Sequence, residues 1–176
     1  MLHNFTFVVS GVDAFADDFE DRFYEAGCDD ATLALMHGAV VVSFDREAPS
    51  YKEAVLSAYR DVVNSGATLK RFEPDYLVSA AEIAARAGLS RAAVSLFENG
   101  ERGQGYPEPY ARVTTSSPLW DWVEVSKWLC LRGNIDEAEY RSALLSRVIN
   151  YHVHSNSDYE AAAKGVSEAM DSPLAA

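Results

Sequence analysis

The stretch Leu77–Asn99, LVSAAEIAARAGLSRAAVSLFEN, constrains this chain more than any other, because its punctuation leaves room for little but two short helices at a tight bend. Ser79 followed by Glu82 is a capping box, so the spacing predicts a helix from Ala80 to about Ala87. Gly88 can take the left-handed backbone that ends such a helix, Leu89 plugs the corner, and Ser90 caps a second helix from Arg91. Ile83, Ala84, Ala87, Val94 and Phe97 then face inward. Small Ala84 falls where two steeply crossing helices must approach closely.

Left outside on the second helix are Arg91, Ala92, Ser95, Leu96 and Asn99. Such a set suits the major groove of a duplex, where Arg forks onto guanine, Asn onto adenine, and Ala or Leu meets a thymine methyl. An ordinary αα-corner inside a core would need the same caps, glycine and apolar positions, so the pattern alone leaves both readings open.

The sequence continues GERGQGYPEPYARVTTSSPLWDWVEVSKWL. With the AEIAARAGLSRAAV core before it, the segment from about 77 to 130 resembles the winged helix-turn-helix of AlpA-type phage regulators, excisionases and MerR-like activators. The shared order is a helix pair, a glycine-rich turn, a wing opening at Tyr106-Pro107-Glu108-Pro109, then Trp120 and the helix carrying Glu124-Val125-Ser126-Lys127-Trp128-Leu129. The resemblance implies sequence-specific binding of double-stranded DNA by a dimer, with the second helix in the major groove and the wing on the backbone or minor groove. Here the wing keeps only Arg102 and Arg112 as cations. Val123 stands where that family often has a cap, which leaves Asp121 with Glu124 to cap the last helix.

A net charge of -12 argues against nonspecific nucleic-acid binding, which depends on neutralising phosphates with Lys and Arg. The charge is unevenly spread. Residues 1–77 carry six cations against fourteen anions, whereas 78–113 carry four of each. An acidic region turned away from the duplex would suppress loose association along a genome. The chain has no run of eighteen apolar residues, and its first residues lack a basic leader region, so no membrane contact and a cytoplasmic location are expected. Cys28 and Cys130 have neither a CxxC spacing nor a nearby paired histidine and read as incidental thiols.

Ahead of the helix pair, residues 4–12 alternate as a half-buried strand. Phe15, Phe19, Phe23 and Ala26 recur at helical spacing up to Gly27, with Asp17-Asp18 at the start. Residues 32–36 and 39–45 read as a hairpin turning at His37-Gly38. Ser50 and Glu53 cap a second helix closed by Gly66, and a last strand covers 68–73. This order is that of a ferredoxin-like βαββαβ domain, expected over residues 1–74. Such a scaffold can dimerise or take a small-molecule or protein effector. Asp29, Asp30, Asp45 and Glu47 match no calcium-loop spacing, so no metal and no cofactor are expected.

Glu73-Pro74-Asp75 is a short joint to the winged helix-turn-helix region, 75–133. Trp120, Trp122, Trp128 and Leu129 are assigned to its core. Beyond Gly133, a helical extension over 134–176 is expected: Asn134 with Glu137 caps a helix over about 135–153, whose apolar side packs on its own domain or on a twin. Ser157 with Glu160 starts a further short helix, and the last residues, DSPLAA, fray. The fold class is therefore α+β, an N-terminal ferredoxin-like domain followed by a mainly α region.

The sequence thus predicts a dimeric transcriptional regulator and not an enzyme, since no nucleophile–base pair, phosphate-cradling loop or metal cluster appears. Its DNA-binding residues would be Ser90, Arg91, Ala92, Ser95, Asn99, Arg102, Arg112 and Thr114. The competing expectation is an acidic adaptor or inhibitor in which the helix pair is only scaffold.

Overall fold

The computed structural model describes residues 1–174 and is an α+β protein that divides into two compact units. The first comprises Met1–Pro74 with Val148–Asp171; the second comprises Asp75–Arg147 and residues 172–174. Among the described residues no helix is long and apolar enough to cross a membrane.

The first unit begins β1 (Leu2–Ser10), α1 (Phe19–Glu25), β2 (Ala31–Met36), β3 (Ala39–Glu47), α2 (Tyr51–Asn64) and β4 (Thr68–Glu73). Its sheet is antiparallel in the order β2-β3-β1-β4, the split βαβ arrangement expected from the element order. Alternation sets the faces: Phe5, Phe7 and Val9 of β1 are buried with Val42 and Phe44 of β3, and Phe72 of β4 joins them. Ser50 caps α2 by accepting from the Glu53 N–H at 3.2 Å, and Val55, Ala58, Tyr59 and Val62 line its buried side.

Helix α1 is shorter than the phenylalanine spacing predicts. Asp13 accepts from the Phe15 N–H at 2.9 Å, which bends the chain locally and leaves Phe15 83% exposed ahead of the helix. Between β2 and β3, His37 and Gly38 both have positive φ (51° and 83°), the two-residue turn whose twist matches an antiparallel pair.

The second unit contains β5 (Leu77–Val78), α3 (Ala80–Arg86), α4 (Arg91–Glu98), β6 (Trp120–Asp121) and α5 (Trp122–Leu131). Strands β5 and β6 pair antiparallel and tie the start of α3 to the start of α5. Val78, Ile83, Val94, Trp120, Trp122 and Leu129 form its core. Asp121 caps α5 by accepting from the Val123 N–H at 2.8 Å. Glu124 does not complete that cap; it accepts instead from Arg147, which also bonds Asp121 at 2.9 Å.

The described part of the C-terminal extension, residues 134–174, is shared between the units. Helix α6 (Glu137–His154) belongs to the second unit up to Arg147 and to the first from Val148, and α7 (Tyr159–Asp171) packs on α2. Leu145 and Ile149 of α6 are fully buried within the chain, so its apolar side is already in use. The caps lie closer to these helices than the sequence suggested. Asp136, not Asn134, accepts at the start of α6, and Asp158, not Ser157, at the start of α7. The Asn134 N–H is engaged in closing α5 by donating to the Leu129 carbonyl at 3.0 Å. Of the residues expected to fray, Ala175 and Ala176 lie outside those described.

Candidate nucleic-acid interface

Helix α3 is set by a complete capping box. The Ser79 hydroxyl oxygen accepts from the Glu82 N–H, and the Glu82 carboxylate accepts from the Ser79 N–H at 2.7 Å. That backbone bond holds the Glu82 carboxyl below the usual carboxylate range. Gly88 follows at φ 63°, and a Cβ there would meet nothing, so backbone conformation alone calls for glycine. The Leu89 N–H returns to the Ala84 carbonyl at 2.8 Å, closing the corner. Ser90 then caps α4 by accepting from the Ala93 N–H at 3.1 Å.

Buried Val94 anchors α4 against Ile83 and Ala84 of α3. Side chains one turn apart share a face of a helix, so Arg91 and Ser95, with Asn99 at the C-cap, stand along one side, and Ala92 lies beside them. All four are exposed. Asn99 Nδ2 donates to Ser95 Oγ at 3.4 Å, which orients the amide and leaves its carbonyl oxygen and second N–H to solvent. The opposite side of α4, with Ala93 and Phe97, turns toward α5.

The segment after α4 is not a regular hairpin. Its first part is packed down: Phe97, Tyr106 and Trp128 form a ring cluster with centroids 5.6, 5.1 and 5.2 Å apart. Trp120 Nε1 donates to the Pro107 carbonyl at 3.2 Å. Gly103, at φ 76°, lies so close to the cluster that a Cβ would sit 2.7 Å from Trp128 and 2.9 Å from Phe97. Burial, with Glu98 nearby, pushes the Tyr106 hydroxyl well above the ordinary phenol range.

The second part projects. An isolated bridge between Ala111 and Leu119 closes a loop over 112–118 in which Arg112 and Thr114 are exposed. Arg112 has φ 54°, and its carbonyl accepts from the Thr115 N–H and hydroxyl at 3.0 and 2.9 Å. Arg102 is also exposed but stands on the packed part, held by its N–H to the Leu96 carbonyl at 3.0 Å. The proposed contacts thus fall into three places: Ser90, Arg91, Ala92, Ser95 and Asn99 on α4, Arg102 just beyond it, and Arg112 with Thr114 on the projecting loop.

No protein-family model, curated protein or solved structure matches this chain.

Two side chains that organise this region carry no obvious sequence signal. Arg132 lays its guanidinium 3.9 Å over the Trp128 ring and donates to the Gln104 carbonyl, pinning the packed segment to the end of α5. Arg86 donates to the Asp75 carbonyl at 2.9 Å and covers Trp122. The pairing of two glycines, 103 and 105, with Trp128 was the available clue to a close backbone approach. Among residues 90–119, Arg91, Arg102 and Arg112 are balanced by Glu98, Glu101 and Glu108.

Proposed function

We propose that this protein is a sequence-specific DNA-binding regulator that acts as a dimer, presenting α4 to the major groove and the 112–118 loop to the backbone. One observation carries the reading: Arg91, Ser95 and Asn99 are exposed together along one side of a helix whose other side is anchored by Val94 and whose start is capped by the Ser90 side chain. A rigid rod with a fork donor, a hydroxyl and a carboxamide in one row is what base-edge readout requires. Arg102, Arg112 and Thr114 would contact phosphates, and the Ser90 hydroxyl, with its oxygen engaged as a cap, keeps its proton free to donate to one.

The equal numbers of cations and anions around α4 support a second reading, an acidic adaptor or inhibitor whose helix pair is scaffold. Fluorescence-anisotropy titration with fragments selected from random duplex DNA separates the two. Enrichment of one motif, bound more weakly as salt rises, supports the regulator; no enrichment, or salt-independent binding, supports the adaptor.

A further inference from the structure

The two edges of the four-stranded sheet are treated differently. At β4, the Asn150 amide takes both outward-facing groups of Phe72, and all these atoms are buried. At the other edge, β2 has burial that falls away along its length, with Leu35 50% and Met36 53% exposed. Its six residues, ATLALM, include no charge, no proline and no glycine, the devices that usually blunt an edge.

The parity of β2 determines which of its groups are open. The Asp45 N–H donates to the Asp30 carbonyl, so residues 30, 32, 34 and 36 direct their main-chain groups to β3. Those of Ala31, Leu33 and Leu35 therefore point outward; among the described residues, only the Ala31 N–H of these is engaged, with the Cys28 carbonyl at 3.1 Å.

We infer that a second copy of this chain pairs antiparallel with β2, with Leu33 opposite Leu33 on the two-fold axis, to make one continuous eight-stranded sheet. Opposed residues must lie on the same face, and outward groups must meet outward groups, which leaves few registers. Centring on Leu33 sets Ala31 against Leu35 of the second copy and gives four main-chain hydrogen bonds without disturbing the Ala31–Cys28 bond.

Two further features fit this occupant. Beside the edge lies a cleft of about 440 Å³, with Phe23, Tyr24, Cys28 and Leu33 on its wall together with the carboxylates of Glu20, Asp21 and Asp29. Leu35 of the second copy, opposite Ala31 and on the helix side of the sheet, is placed to enter it. The six paired residues of β2 themselves bring no charge into opposition across the two acidic chains.

This inference rests on the dimeric part of the proposed function and not on DNA recognition. Sedimentation equilibrium of the full chain at micromolar concentration is expected to show a dimer. Leu35→Pro removes an outward N–H at a position where an edge strand tolerates proline, and should weaken the dimer at least roughly tenfold while far-UV dichroism is retained. Leu33→Cys in a Cys130→Ser background provides a test that does not depend on proline being accommodated. Facing Cα atoms of a hydrogen-bonded pair are about 5.5 Å apart, within disulfide reach, so mild oxidation should give a covalent dimer. Thr68→Cys in the same background, on the opposite edge, should not crosslink. A monomeric wild type, a folded Leu35→Pro chain that dimerises as well as wild type, or crosslinking of the Thr68→Cys chain but not of the Leu33→Cys chain would each overturn the pairing. Loss of DNA binding by a chain that still dimerises through β2 would instead count against the proposed function alone.

Discussion

Asn150 brackets the backbone of Phe72, donating from Nδ2 to its carbonyl at 3.0 Å and accepting its N–H on Oδ1 at 2.9 Å. Both residues are fully buried, and 78 positions separate them. One carboxamide thus finishes a strand edge from within the same compact unit.

Asn150→Leu therefore leaves a buried donor and a buried acceptor unpaired. Each such group costs about 1 to 3 kcal/mol, so the expected loss is about 2 to 6 kcal/mol. Urea unfolding followed by far-UV dichroism reads it. All three tryptophans, at 120, 122 and 128, lie in the second unit, so indole fluorescence recorded in parallel shows how far the damage extends beyond the first.

The two thiols should react very differently. Cys28 is buried in the first unit, and burial, reinforced by Asp61, pushes its pKa up to about 12. At pH 8 a thiol-reactive dye should label half-buried Cys130 in the native protein and both residues in urea. The same shift has a consequence for stability. The native state holds the Cys28 proton more tightly than the unfolded chain, so its contribution is fully present below about pH 9 and is lost as pH climbs toward 12. Cys28→Ala should flatten that alkaline decline in an unfolding series from about pH 8 to 11, and an unchanged slope would assign the decline elsewhere.

Two glycines with similar φ should differ in what they tolerate. At Gly88 a methyl meets nothing, so Gly88→Ala carries only the left-handed backbone penalty of about 1 to 2 kcal/mol. At Gly103 the methyl also collides with Trp128 and Phe97, adding roughly 1 to 3 kcal/mol of overpacking. Thermal unfolding followed by tryptophan emission should rank Gly103→Ala clearly below Gly88→Ala, with an altered native emission maximum in the former alone. Equal losses would mean that the ring cluster yields without cost.

The devices that were legible before the structure are those whose physics is local. The caps at Ser50, Ser79 and Ser90, the His37-Gly38 turn and the bend at Gly88 depend on neighbours at most a few residues away, and each lies where its spacing places it. Alternation likewise marked β1, and the two apolar runs either side of His37-Gly38 marked β2 and β3. What the spacing could not convey are partnerships across the chain. Arg46, a basic residue buried in the first unit, meets Asp30 at 2.8 Å, Asp61 at 2.6 Å and the Gly27 carbonyl at 2.7 Å, gathering three segments that share no pattern. Misplaced caps on α6 and α7 have the same origin: Asn134 and Ser157 each use their N–H to close the preceding helix, on the Leu129 and His152 carbonyls, and the next aspartate, Asp136 or Asp158, takes the cap.

Within the candidate interface, the exposed row on α4 was legible because helical spacing and one buried anchor, Val94, determine it. The division of the following segment into a packed and a projecting part was not. It depends on Trp128 and Arg132, far along the chain, meeting Gly103 and Gln104. Arg102 and Arg112 consequently stand on differently held pieces of backbone.

That difference bears on the salt dependence of DNA binding under the proposed function. Affinity should fall with log salt at a slope of about -0.9 for each phosphate neutralised. With Arg102 and Arg112 in that role, the slope should be about -2 per chain and about -4 for a dimer, shallow for a regulator. Arg112→Ala should reduce it by about 1 per chain and weaken every sequence alike. Arg91→Ala should instead cost about 1 to 3 kcal/mol on the selected motif, relax preference at one base position and leave the slope nearly unchanged. Anisotropy titrations across a series of salt concentrations, on the selected duplex and on a scrambled one, read all three quantities together. Should Arg91→Ala change the slope as much as Arg112→Ala while preserving sequence preference, the α4 side chain would be touching phosphate, and base readout would have to be sought elsewhere on the surface.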